Sequence, residues 1–119
     1  MVLVDTSVWV DHLRFGNPRM VSLLEEGDVV CHPFIIGELA CGHLPDRART
    51  LRWIHDLPRT GTASQDEVMA LIEAHRLMSL GLGFIDIHLL ASARLSGVPI
   101  WTLDAPFKKA AAKLGLLYD

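Results

Sequence analysis

Residues 2–13 read VLVDTSVWVDHL, and this stretch decides the fold class. Val2, Leu3 and Val4 form an unbroken apolar run, the pattern of a short strand buried on both faces. Asp5, Thr6 and Ser7 follow at once, and these residue types cap helices, so the chain reads as strand, tight turn and helix. That helix runs from about Val8 to Arg14 and is closed by Gly16, Asn17 and Pro18. A second helical segment carrying Met20, Leu23 and Leu24 ends at Gly27, and residues 28–32 read as the next strand. Pro33 suits a first helical turn, and Phe34, Ile35, Leu39 and Ala40 carry a helix to Gly42. Residues 47–57 give an amphipathic helix with a basic side. Ser64 and Glu67 form a capping box for a helix that carries Val68, Leu71, Ile72 and Leu77 before Gly81 and Gly83 stop it. Residues 85–96 are the most apolar helix, ended by Gly97; residues 100–103 form a strand, and residues 106–114 the last helix. Short apolar strands alternating with longer helices predict an α/β domain with a mainly parallel central sheet covered on both faces.

The chain has 119 residues, 50% hydrophobic and 21% charged, with a formal net charge of -3. That length suits one domain, 1–119, and no linker or repeat divides it. A mean hydropathy of +0.31 and a pI near 6.0 exclude a disordered chain and a protein coated in basic side chains, while leaving room for a local basic patch. Cys31 and Cys41 cannot build a disulfide framework, and the amino terminus meets an acid at Asp5 where a signal peptide would continue apolar. The longest uncharged stretch, 29–37, is far too short to span a bilayer. A soluble cytoplasmic protein without membrane partners is the expectation. The pairs Cys31-His32 and Cys41-x-His43 depart from the spacing of structural zinc sites, so Cys31 reads as packed in the sheet and Cys41 as packed in its helix.

Asp5 and Asp104 each follow a strand, at the sheet edge where α/β proteins gather ligands. Asp86 begins the helix after Gly81-Leu82-Gly83 and faces the same edge, and Glu38 lies within the oily helix 33–40. Each aspartate alone could serve as a helix cap or dipole partner. Glu38, flanked by Ile35, Ile36, Leu39 and Ala40, is harder to explain as a solvated residue. Carboxylates gathered together raise one another's pKa unless a cation joins them. Oxygen-only ligands suit magnesium or manganese, and such a site supports hydrolysis of a phosphodiester.

The ordered motifs VLVDTSVWVDHL (2–13), HPFIIGELACG (32–42), EVMALIEAHRL (67–77), GLGFIDIHLLASA (81–93) and WTLDAPF (101–107) resemble the PIN-domain family across nearly the whole chain, and within it the VapC-type toxins. The resemblance implies a PIN-like three-layer α/β/α domain in which Asp5, Glu38, Asp86 and Asp104 are the catalytic acids and hold magnesium or manganese. Asp5 and Asp86 are then the central ligands, and Thr6 or Thr102 orients water or tunes an acid. Ala105-Pro106 stands where many relatives carry a charged pair. The implied activity is endoribonuclease cleavage of transfer or ribosomal RNA, inhibiting translation and held off by a small cognate antitoxin. A homodimeric toxin within an assembly that binds operator DNA through the antitoxin is implied as well.

Arg14, Arg19, Arg47, Arg49, Arg52 and Arg59, and Lys108, Lys109 and Lys113 on the last helix, are candidates for phosphate contacts or for an ordinary solvated face. Trp9, Phe15, Trp53 and Leu57 read as core or as a partner surface, and His75 and His88 as packed histidines. Three alternatives stay open: a PIN-fold RNA- or protein-binding module without turnover, a structure-selective DNA nuclease, and a phosphatase-like α/β domain.

Overall fold

β1 (Val2–Val4) is buried along its whole length and lies at the centre of a parallel sheet in the computed structural model, which describes all 119 residues. β2 (Val29–Val30) pairs along one side, with Val2 opposite Val29, and β3 (Ile100–Trp101) along the other, with Leu3 opposite Ile100. Because the order is β2-β1-β3, the chain leaves β1 for β2 on one side and then crosses over β1 to β3 on the other, so the carboxyl end of β1 is the kind of switch point at which open α/β sheets gather ligands. Asp5 is the first residue beyond that end.

Helices α1 (Thr6–Phe15), α2 (Pro18–Glu25), α3 (Pro33–Cys41), α4 (Arg47–His55), α5 (Gln65–His75), α6 (Phe84–Ser96) and α7 (Ala105–Lys113) complete a three-layer α/β/α architecture. Trp9 from α1 and Phe107 from α7 are the bulkiest fully buried side chains. α6 is buried without interruption from Ile87 to Ala93, as a helix packed on several sides must be. It ends where Gly97 turns left-handed at φ 66° and Val98 N–H reaches back to the Ala93 carbonyl. No helix is long and apolar enough to cross a membrane.

Among the boundaries that differ from the sequence reading, two have a clear physical cause. α5 stops at His75, where Arg76 adopts φ 52°, and Leu77 lies beyond the helix yet is buried. On a continuing helix Leu77 would face away from the stripe of Val68, Leu71 and Ile72, so the chain must leave the helix to bury it. β3 stops at Trp101 because the N–H groups of Leu103 and Asp104 are taken by the hydroxyls of Ser7 and Thr102. The sheet also gains single bridges at both edges, Cys31 with Arg59 and Ile100 with Leu117. Cys31 N–H donates to the Pro58 carbonyl at 2.7 Å, and Tyr118 N–H donates to that of Ile100 at 2.8 Å.

His32 joins three parts of the chain. Its Nδ1 accepts the Phe34 N–H at 3.0 Å, so the proton of the neutral ring sits on Nε2, which donates to Ser92 Oγ at 3.1 Å. Ser92 Oγ also accepts the Ala63 N–H. Burial, aided by the nearby His88, lowers His32 from 6.5 to about 4. The unfolded chain therefore binds a proton more readily, and the stability contributed by neutral His32 is lost as pH falls from 6.5 to about 4. His32→Gln is expected to cost about 1–3 kcal/mol at neutral pH, and thermal denaturation across this window should show the gap to wild type narrowing as the pH drops.

Candidate metal centre

Asp5 is 6% exposed and precedes α1, yet its side chain makes no capping bond to that helix. Instead Oδ2 accepts the Ser7 hydroxyl at 2.8 Å and the Thr102 hydroxyl at 2.7 Å. Each hydroxyl has a single proton, so with both given to Asp5 the 3.3 Å approach of Ser7 to Thr102 is a contact between acceptors. Ser7 and Thr102 then accept the N–H groups of Leu103 and Asp104, which knits the end of β1 to the segment after β3.

The other acids are each held by one oxygen. Glu38 Oε1 accepts the Thr6 hydroxyl at 2.8 Å, Asp86 Oδ2 the Gly83 N–H at 3.0 Å, and Asp104 Oδ2 the Phe107 N–H at 3.1 Å. Asp86 and Asp104 thus stand at the amino-terminal ends of α6 and α7, where the helix dipole favours negative charge. In all four acids the second carboxylate oxygen has no hydrogen bond within the protein. None of the four pairs with a cation, since the molecule's one ion pair joins Arg49 to Asp46.

Asp86 registers the convergence. Burial is the main cause raising its carboxyl above the usual range; the Gly83 N–H opposes this, and the charges of Asp5, Asp104 and Glu38 each push it further up. The structure therefore brings the other three sequence-named acids within Coulombic reach of Asp86. It does not gather any three His, Cys, Asp or Glu side chains into a ready coordination set. The donor chemistry, four carboxylates with a free oxygen apiece and no counter-charge, fits a hard divalent cation.

Several sequence expectations are corrected here. Glu38 is exposed: Ile35 and Leu39 point into the core, while Phe34, Gly37, Glu38 and Cys41 share the outer stripe of α3, so its oily neighbours in sequence lie on the other side. Cys41 is correspondingly exposed, whereas burial pushes the Cys31 thiol up to about 11. His88 is packed but not satisfied, its Nδ1 lacking a partner between the rings of Phe34 and Phe84 at 4.9 and 4.7 Å. Trp9 is core and Trp53 is half exposed. Ser7, read from sequence only as part of a cap, is a direct holder of Asp5; its place two residues after an acid at a strand end was the available signal.

Some cations have structural duties. Lys113 Nζ donates to the His75 carbonyl, and Arg19 donates to the Asp119 carbonyl while lying over the rings of Trp101 and Tyr118. Ala105 and Pro106 are exposed and open α7.

Residues 2–113 match the family model for the PIN domain. Over 117 residues the chain is 41% identical to ribonuclease VapC32 of two Mycobacterium tuberculosis strains, covering 98% of this chain and 94% of that protein. Among solved structures, PAE2754 from Pyrobaculum aerophilum has a TM-score of 0.61 at 18% identity, covering 94% of this chain and 78% of the other. FitAcB from Neisseria gonorrhoeae has a TM-score of 0.59 at 21% identity, covering 94% of each chain. At those identities the two structures speak for the fold alone, while the family match and the curated relatives reach nearly the full length. The chain belongs to the PIN-domain family and is a homologue of its VapC-type ribonucleases.

Proposed function

We propose that this protein is a magnesium- or manganese-dependent endoribonuclease, the toxin of a toxin-antitoxin pair, with Asp5, Glu38, Asp86 and Asp104 as its metal-holding and catalytic acids. The observation that carries the metal-dependent chemistry is the pattern of half-engaged carboxylates, each anchored through one oxygen and open at the other, at the carboxyl end of β1. RNA as the substrate is supported by the 41% identity to ribonuclease VapC32 across almost the whole chain.

The roles of the chain's own groups follow from their contacts. Ser7 and Thr102 hold the Asp5 carboxylate through Oδ2 and leave Oδ1 without a hydrogen-bond partner in the protein. Thr6 holds Glu38 from α1, so a residue beside Asp5 sets the direction of an acid on α3. The Gly83 and Phe107 N–H groups orient Asp86 and Asp104 from the backbone, with no side-chain entropy lost in the donor. A bound divalent cation supplies the charge that offsets carboxylate repulsion and polarises the scissile phosphate. Transfer RNA or ribosomal RNA is the substrate class of this reading, and cleavage there would stop translation.

A small antitoxin is the proposed partner, in an assembly that contacts operator DNA through the antitoxin and contains the toxin as a homodimer. Apolar side chains left exposed beside the acids, Phe34, Phe84 and Ile85, support a protein partner at this end of the molecule.

Incubating total RNA with antitoxin-free protein is expected to yield discrete cuts with magnesium or manganese and none in excess chelator. Asp5→Asn should lower the rate on the order of 100-fold or more, since the cation's electrostatic contribution is several kcal/mol. Intact RNA after treatment with folded, metal-loaded protein would overturn the reading in favour of a binding module. A second expectation concerns stability. Ionised Asp86 carries a cost from burial and three like charges, so Asp86→Asn should raise the thermal midpoint in chelator by a few degrees. Magnesium at a hundred times the wild-type Kd should then stabilise the wild type by about 2.7 kcal/mol and the variant by less; equal responses would remove Asp86 from the ligand set.

A further inference from the structure

The basic side of α4 lies outside the carboxylate centre, and its cations divide according to what they touch. Arg47 donates to the carbonyl oxygens of Gly42 and Ala40 and closes the end of α3. Arg59 is bound to the ring and carbonyl of His55. Arg52 has no ion-pair partner in the protein, and Arg49 has only the exposed Asp46 at 4.0 Å, a contact that water and salt screen. Trp53 stands beside them, 50% exposed, whereas Trp9 and Trp101 are buried. Positions 49, 52 and 53 share one helical stripe, and their side chains line an open cavity of about 580 Å3.

A second cavity, of about 350 Å3, lies between α1 and the end of α3, with Arg14, Glu38 and His43 in its walls beside the apolar Val10, Leu13, Leu39 and Leu44. Pro45 lines both cavities. The Thr50 hydroxyl donates to the Pro45 carbonyl at 2.6 Å and fixes this shared wall to α4. The cavity beside Glu38, Arg14 and His43 therefore adjoins, at Pro45, the one beside Arg49, Arg52 and Trp53.

We propose that these adjoining cavities form a track for single-stranded RNA, in which Arg49 and Arg52 hold backbone phosphates and Trp53 stacks on an unpaired base. The inference rests on the ribonuclease reading and assigns the part of the substrate that lies beyond the scissile phosphate. Charge allows it: Arg49 and Arg52 share the cavity lining with Asp46 and Asp56, while the segment 46–59 as a whole carries four arginines against two aspartates in a chain whose net charge is -3. Chemistry favours it. The α4 cavity has one hydrophobic residue among the seven that line it, so it offers an aromatic face in a polar frame, suited to a base and its phosphates. An apolar helix from a protein partner would find little to bury there. The stack requires a splayed base, which duplex RNA does not present.

The test measures binding of single-stranded RNA of about 4 and about 16 nucleotides to the full chain in excess chelator, so that nothing turns over. The longer RNA should bind more tightly and quench tryptophan fluorescence. Trp53→Ala should lose about 5-fold or more of that length advantage, and Trp53→Phe should restore most of it. Replacing both Arg49 and Arg52 by Gln should lower the slope of log affinity against log salt by about 1.4. A Trp53→Ala protein with the wild-type length advantage, or an unchanged salt slope in the double arginine variant, overturns the track and leaves the face to a protein partner. Metal-dependent RNA cleavage by the wild type, assayed in parallel, separates the two failures: cleavage without these effects removes the track alone, whereas neither cleavage nor binding removes the ribonuclease reading with it.

Discussion

The structure depends on satisfying one nearly buried carboxylate at the end of its central strand. Asp5 is 6% exposed, and a carboxylate so placed is costly unless hydrogen-bonded. Ser7, two residues on, and Thr102, 97 residues away in sequence, supply the donors. Both hydroxyl oxygens then accept backbone N–H groups from the segment after β3, and this ends the strand at Trp101. Asp104 is placed by the same bonds, because its own N–H is held by Thr102. One polar knot therefore ties the middle of the sheet to the start of α7 and positions two of the four acids.

The other two acids are placed by different means. Asp86 arrives on the first turn of α6, a helix whose next turns are wholly core, so its position is as rigid as the packing behind it. Glu38 arrives on the outer stripe of α3 and depends on Thr6 for its direction. The carboxyl of Asp86, raised first by burial, is pushed further up by the charges of Asp5, Asp104 and Glu38. Such a cost is tolerable in a domain whose sheet and helices share one apolar core of 27 buried residues, and it is the condition under which a divalent cation binds with most effect.

Much of this was legible in the residues themselves. The apolar run Val2–Val4 meeting Asp5, the capping box of Ser64 and Glu67, and the closure of α6 by Gly97 each carried a local signal that survived folding. Elements that depend on distant partners did not. The bridges of Cys31 with Arg59 and of Ile100 with Leu117 add a partner at each edge of the sheet, and a single bridge leaves no periodicity to read. Leu77 extends a plausible helical pattern, but only the core shows that the chain must break at Arg76 to bury it. The exposure of Glu38 was hidden in the same way: the oily residues beside it in sequence turn inward, and the face of α3 is chosen by what packs against it.

The sequence by itself determined the alternation of strands and helices, the identity of the four acids and the family to which they belong, because those are properties of residue type, spacing and order. Tertiary structure alone decided which oxygen of each acid is engaged, that no internal cation answers them, and that the basic side of α4 opens onto a cavity sharing a wall with the one beside Glu38. The physical reason is range. Caps, breakers and apolar periodicity act within a few residues, whereas a hydroxyl at 102 reaches a carboxylate at 5 only after the sheet has closed around both.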